Sequence, residues 1–287
     1  MIADAAIIIP HYNDVARLTR CLAALWPQRQ PGVEIIVVDN GSTESLEPIH
    51  AAYPNLRIVT EVQKGAAHAR NRGVAETTGR ILCFLDCDCI PAPDWIAVAL
   101  AASADADLTG GRVMVFDETP PPRTGAQAFE AVFAFDNKNY VESKGFSVSA
   151  NLITHRSVFK AVGPFIHGVS EDLDWCRRAT ASGHRLIYKD DMVVRHPSRS
   201  DWAALQRKWR RLNDETFALM KPGYRRRLVW LGRACAMPVS ALVHGLKIMR
   251  SQKLNNPGER VGAFLTLVRL RLLRAAWMLR QAARDKP

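Results

Sequence analysis

Residues 82–91 read LCFLDCDCIP. The apolar run Ile81 to Leu85 ends abruptly in two acids, Asp86 and Asp88, interleaved with two thiols, Cys87 and Cys89. A short, continuously apolar run of this kind reads as a strand buried on both faces. In extended backbone, residues i and i+2 point to the same side, so Asp86 and Asp88 are expected to share a target and Cys87 to face away. Two carboxylates aimed together are costly unless a cation lies between them. Oxygen ligands suit Mg2+ or Mn2+, ions that also bind diphosphates, whereas a thiolate site would need further soft ligands that the sequence does not place nearby. A solvated acidic turn is the plain alternative, and it accounts poorly for two acids where Pro91 already supplies the stop.

The same pattern extends outward from this stretch. Ala5 to Ile9 is an apolar run followed by a helical pattern from Val15 to Leu25. Val33 to Val38 is a second run, with Ser42 and Thr43 offering capping hydroxyls, and Leu56 to Val62 reads as a third strand. Ala66 to Glu76 is Ala-rich and helical. Apolar strands alternating with helices predict an α/β fold with a mostly parallel sheet covered on both faces, whose ligands sit beyond the C-terminal strand ends. Three polar clusters fall at those ends: Pro10-His11-Tyr12-Asn13, Asp39-Asn40-Gly41 and Asp86-Cys87-Asp88. Asn, Asp and Gly are also ordinary turn residues, which explains Asn40-Gly41 better than it explains the paired acids.

The chain has 287 residues, 48% hydrophobic and 23% charged, enough for one large domain with an appendage. From Asp201 onward there are 19 Lys and Arg against 5 Asp and Glu, a net of +14, so with +11 overall the first 200 residues carry about −3. The basic excess therefore belongs to the C-terminal segment and suits an anionic partner, a phospholipid surface or nucleic acid. Six cysteines without a C-x-x-C pair read as reduced, packed thiols. The apolar start is short and runs into Pro10, so no cleavable signal is expected and the chain reads as cytoplasmic.

Six fragments in order, IIIPHYND, VVDNGSTE, KGAAHARNRG, FLDCDCIP, SANLITHRSVFKAVGPF and SEDLDWCRRATASGHRL, resemble family 2 glycosyltransferases over about residues 4–200. The resemblance implies a GT-A, Rossmann-like sheet sandwiched by helices, and an inverting transfer of sugar from a nucleotide-diphosphate donor. It places Pro10 and Tyr12 along the base, Asp39 on base or ribose, Arg70 facing the diphosphate with Asn71 and Gly73 shaping its loop, and Asp86 and Asp88 on ribose and metal. It makes Asp172 the catalytic base, with Glu171 and Asn151 on the acceptor side and Asp174 as a competing acid. His196, after the run Met192 to Val194, is similar in position to a histidine that completes metal coordination in several GT-A enzymes. The family's second motif has two consecutive acids where this chain has Asp39-Asn40, which weakens any role for the second position. Such chemistry needs the leaving diphosphate neutralised, which a divalent ion does, and a carboxylate base on the opposite face of the sugar. A helix N-terminus favours an ionised acid, which counts against Asp172 as a base.

The reading is thus a catalytic domain over residues 1–200 and a basic helical region over 201–287. Leu228 to Leu246 is apolar enough to suggest a membrane span, yet it holds Arg233, Pro238 and His244, so helices lying in or on the membrane fit better. The expected site is the inner face of the cell membrane, with a glycan or lipid-linked acceptor and no nucleic acid. Gln206-Arg207-Lys208-Trp209 lacks the spacing of the Gln-x-x-Arg-Trp motif, which does not support processive polymerisation. Two alternatives remain at this point: a sugar-nucleotide nucleotidyltransferase, which would want a Gly-rich phosphate loop after the first strand, and a nucleic-acid-binding module built on the basic tail.

Overall fold

The computed structural model describes residues 4–284. The elements from the start of the chain are β1 (Ala5–His11), α1 (Val15–Leu25), β2 (Val33–Asp39), α2 (Glu47–Ala52), β3 (Arg57–Thr60), α3 (Ala66–Glu76), β4 (Ile81–Leu85) and β5 (Ile90–Pro91). Then follow α4 (Trp95–Ala102), β6 (Leu108–Phe116), α5 (Gly125–Phe133), α6 (Asn137–Lys144), β7 (Asn151–His155), α7 (Arg156–Val162), α8 (Glu171–Ala181) and β8 (Leu186–Pro197). Three long helices complete the described residues: α9 (Trp202–Ala218), α10 (Tyr224–Met249) and α11 (Pro257–Arg284).

The strands form one eight-stranded sheet in the order β3-β2-β1-β4-β7-β6-β8-β5. β3, β2, β1 and β4 run parallel, while β7 pairs antiparallel with both β4 and β6. Residues 5–9 of β1 are buried without a break, as a strand covered on both faces requires. α1 starts where the Asp14 carboxylate accepts from the Arg17 amide, and it buries Leu18, Cys21, Leu22 and Leu25 at helical spacing. The core joins Ile8, Ile36 and Phe84 of the sheet to Phe159, Phe165 and Trp175 of the flanking helices and loops. Glycines let backbones approach: a side chain at Gly73 would overlap Ile8, and one at Gly79 would overlap the backbone of Ala5 and Ala6.

Two details differ from expectation. The third strand is shorter, and the backbone after β4 does not stay extended: Asp86 to Cys89 is a turn closed by the Cys89 amide on the Asp86 carbonyl at 3.0 Å. Strand alternation therefore cannot be what aims Asp86 and Asp88.

The chain divides into two compact units, and the second is not simply residues 201–287. It comprises Val115–Phe135, Gly168–Ser170 and everything from Pro197 onward. α5, opened by a capping box between Thr124 and Gln127, sinks Phe129 and Val132 among Leu205 of α9, Ala241 of α10 and Leu267 of α11. A nine-residue helix with no charged stripe gives no sequence sign of which unit it joins, because that is decided by the apolar partners it meets. Within this unit Glu130 of α5 is buried and held by Arg199 and Lys208.

Gly79→Ala is expected to cost about 3 kcal/mol or to prevent folding, because the obstacle is backbone rather than a movable side chain. Gly145→Ala, in a left-handed C-cap with open space around it, should cost only about 1–2 kcal/mol. Thermal denaturation of the two variants measures the contrast.

Candidate active site

The loops after β1 and β2 are built from each other's side chains. His11, buried at the end of β1, accepts the Asp14 amide at Nε2 (3.1 Å), so its proton is on Nδ1, which donates to Asp39 Oδ1 at 3.0 Å. Ser42 donates its hydroxyl to the same Asp39 oxygen at 2.5 Å and its amide to the other at 3.1 Å. Burial works against the ionised form of Asp39, but the bonds from Ser42 and His11 outweigh it and hold the carboxyl below its ordinary value. Asn13, at a positive φ of 47°, accepts the amides of Thr43 and Glu44. His11 is thus a buried strut for Asp39.

Asn40 explains why this chain departs from two consecutive acids. Its amide nitrogen donates to the carbonyls of Glu61 (3.0 Å) and Gln63 (2.7 Å), and its oxygen accepts the Gly65 amide at 2.6 Å. A carboxylate could make only the last of these bonds and would face two carbonyl oxygens. The loop so held carries Lys64, whose ammonium lies 5.0 Å from the Tyr12 ring centre and 3.4 Å from its hydroxyl. Tyr12 is 49% exposed at this edge. Pro10 sits half-buried in β1 beside it. Gly65, at φ 131°, opens α3 against the ring of His167, which in turn lies 4.9 Å from His68.

The acids gather around Arg70 of α3. Its guanidinium is 4% exposed and bridges Asp86 Oδ1 (2.6 Å) and Glu171 Oε1 (2.9 Å). Desolvation would lower its pKa, but the two carboxylates outweigh that and keep it charged. Its Nε is buried with no partner among the described residues. The resemblance assigns Arg70 to the diphosphate, whereas here its terminal nitrogens are engaged by protein acids. Asn71 grips the backbone of Phe165 by mutual bonds of 2.9 and 3.0 Å, fixing the segment that leads to α8. Asp172, in the first turn of α8, accepts the Leu173 amide at 2.7 Å. Burial, then the neighbouring charge of Glu171, push its carboxyl up to about 6. Asp174 is instead tied to Arg178 one turn on, at 2.8 Å.

Asp88 meets His196 of β8, Nε2 to Oδ2 at 3.2 Å. Among the described residues no group of three or more His, Cys, Asp or Glu is placed to hold a metal. One carboxylate and one imidazole nevertheless fit an ion such as Mg2+ or Mn2+ that takes its remaining ligands from substrate phosphates and water. The thiols do not compete: Cys87 and Cys89 are pushed well above the ordinary thiol value by burial and then by Asp88. Cys89 is fully buried.

Asn151 requires a correction. It is buried, its amide nitrogen bonds the Arg112 and Met192 carbonyls, and its oxygen accepts from the Trp95 indole. It braces three strands and the start of α4, with nothing left for an acceptor. Sequence reasoning gave no role to Lys64 or His167, although Lys64 directly precedes a motif glycine. A separate open cavity of about 860 Å3 in the helical unit is lined by Arg207, Arg210, Arg211 and Trp277. Arg210 and Arg211 pair with Asp214 and Glu215 along the same helix.

Comparison with known proteins bears on this edge. Residues 6–163 match the family described as Glycosyl transferase family 2. Glycosyltransferase AglE of Haloferax volcanii is 33% identical over 216 residues, 71% of this chain and 70% of that protein. The pre-mycofactocin glycosyltransferase of Mycobacterium tuberculosis is 28% identical over 216 residues, 70% of this chain but only 45% of its own length. Among solved structures, the mannosyltransferase PcManGT from Pyrobaculum calidifontis, in complex with GDP-Man and Mn2+, aligns with 99% of this chain and 76% of its own. Its TM-score is 0.56 at 19% identity. S. aureus TarS 1–349 in complex with UDP-GlcNAc aligns with 99% of this chain and 92% of its own, with TM-score 0.55 at 15% identity. The fold shared with them is GT-A.

Asn40→Asp, which restores two consecutive acids, should destabilise the protein by about 1–3 kcal/mol by setting a carboxylate against two carbonyls. Chemical denaturation measures it, and a variant as stable as the parent would mean that the Asn40 clamp is not holding this loop.

Proposed function

The chain belongs to glycosyl transferase family 2, and from that premise we propose that it is an inverting, divalent-metal-dependent glycosyltransferase moving sugar from a nucleotide diphosphate to a hydroxyl acceptor. The observation that carries the reading is Asp172, a half-buried carboxyl pushed up to about 6 beside the acids of the donor edge. Such a group can take a proton near neutral pH, where an ordinary carboxylate is a weaker base.

In this reading the Tyr12 ring stacks on the base and the Asp39 and Asp86 edge holds the ribose. Asp172 accepts the acceptor hydroxyl's proton as its oxygen bonds to the anomeric carbon. The bond from that carbon to the diphosphate breaks on the opposite face, so the configuration inverts. Arg70, by gripping Asp86 and Glu171, positions the acids rather than reacting. Bound by Asp88 and His196, a divalent ion would supply positive charge for the departing diphosphate. GDP-Man with Mn2+ in the Pyrobaculum neighbour and UDP-GlcNAc in the staphylococcal one support the donor class and the kind of ion. A nucleotidyltransferase loses its support with the family assignment.

The C-terminal region is proposed to hold the enzyme at the inner face of the cell membrane, where a glycan or lipid-linked acceptor is met. Tyr224–Met249 is long and apolar enough to cross a membrane by length and composition, and only 22% of its most apolar window is buried.

Transfer should decline about tenfold per pH unit below pH about 6, and Asp172→Asn should remove that limb together with at least 100-fold of the rate. Stability should move the other way. Because the folded carboxyl titrates near 6 and the unfolded one near 3.8, ionising it costs stability that is intact below 3.8 and lost as pH rises through 6. At pH 7.5 Asp172→Asn should therefore be as stable as the parent, or up to about 2 kcal/mol more stable. Asp88→Ala should abolish the extra thermal stabilisation that Mn2+ gives in the presence of a nucleotide diphosphate. Near-normal transfer by both variants would overturn the assignment.

A further inference from the structure

We propose that the outward face of α10 is a seat for an anionic phospholipid bilayer, which the helix enters while lying in the plane of the surface. The inference deepens the membrane reading above and rests on it, not on the chemistry at Asp172.

α10 has two faces of opposite fate. Trp230, Ala234, Ala241, Gly245 and Ile248 turn inward and are buried. Leu228, Val239, Leu242, Val243, Leu246 and Met249 turn outward and are 50–70% exposed. Positions 228, 232, 235, 239, 242, 246 and 249 alternate by four and three, so they make one stripe down the helix, filled by Leu, Gly, Cys, Val, Leu, Leu and Met. At 1.5 Å per residue the stripe is roughly 32 Å long. A helix packed on one side against protein and facing water on the other normally carries polar residues there. This one is apolar on both sides, and an exposed apolar surface of such length marks an interaction site.

Three observations select the occupant. The inner face packs on α11, closely enough that a side chain at Gly245 would press on the Phe264 ring, so the outward face alone is left for lipid, as in a helix lying at the surface. Arg233 sits near the middle of the helix, exposed and with its guanidinium 5.8 Å from the Trp230 ring, where a long side chain can reach the headgroups of a surface-bound helix. Residues 219–284 hold 14 Lys and Arg against one acid, Glu259, which is buried. Two copies facing through this stripe would bring like charges together with no acid to answer them. Anionic headgroups answer them directly, with Arg225 and Arg227 at one end of the stripe and Arg250 and Lys253 at the other.

The test uses the full chain and vesicles of phosphatidylcholine alone or with about one third phosphatidylglycerol. The parent should sediment with the anionic vesicles and at least tenfold less with the neutral ones. Leu242→Glu with Leu246→Glu, at exposed positions, should weaken binding to anionic vesicles at least tenfold with Tm unchanged. A polarity-sensitive dye on Cys235, exposed on the same stripe, should shift to the blue with anionic vesicles and be quenched from the acyl region. A parent that ignores both vesicle types would overturn the membrane reading and this inference together. Binding that survives the two Leu→Glu changes but is lost with Arg225→Glu and Arg227→Glu would leave the membrane reading standing and overturn the seat. A dimer abolished by the Leu→Glu changes, without vesicle binding, would make the occupant a second copy. Protection of Arg250 and Lys253 from added protease inside sealed vesicles would mean that α10 crosses.

Discussion

The ion pairs of Arg70 with Asp86 and Glu171 are the constraint on which the acidic edge depends. Asp86 lies in the turn after β4 and Glu171 at the start of α8, 85 residues apart in the sequence, and one buried guanidinium joins them. Burying that cation is costly, and the two carboxylates offset the cost. Removing both carboxylates would leave a buried charge unanswered at a cost of about 3–5 kcal/mol, and removing either one leaves the other to answer it alone. The arrangement also sets Asp172 next to one cation and two carboxylates, a cluster with an excess of one negative charge. The pull of Arg70 toward the ionised form of Asp172 is thereby opposed by Glu171 and Asp86.

Around that centre, fit is enforced by bonds that only certain side chains can make. Asn40 is the clearest case, since its two N–H groups reach two carbonyls that an acid would repel. The chain departs from the family's paired acids at a position where the side chain serves the loop and not the ligand. His11 is similar in kind: receiving the Asp14 amide on one nitrogen fixes the other as a donor to Asp39, so its tautomer is dictated by backbone.

Much of the frame was legible in the residues because its signal is local. α1, α3 and β4 begin and end where the apolar periodicity says they should. The placement of Tyr12, Asp39 and Asp86 at one sheet edge follows from parallel strands alone. What was not legible depends on partners far away in the chain. The acids at 86 and 88 part ways because a turn sends one to α3 and the other to β8, which period-two reasoning cannot foresee. Asn151 looked like a site residue because it stands in a site motif, while its amide is consumed by Trp95, Arg112 and Met192. α5 joined the helical unit because its apolar faces meet α9 and α11, a choice made by packing and not by propensity.

Asp172 shows two such effects in direct competition, and magnitude decides between them. Its place in the first turn of α8 favours the ionised acid by roughly 0.3–1 kcal/mol. Burial and the charge of Glu171 act in the other direction, and they prevail, since the carboxyl is raised to about 6 in spite of the Leu173 amide and Arg70. The helix end that looked in the sequence like an argument against a base is therefore the smaller influence. It has a different consequence: by limiting the rise, it keeps most of the carboxyl ionised at neutral pH, so that the group is ready to accept a proton without first having to lose one.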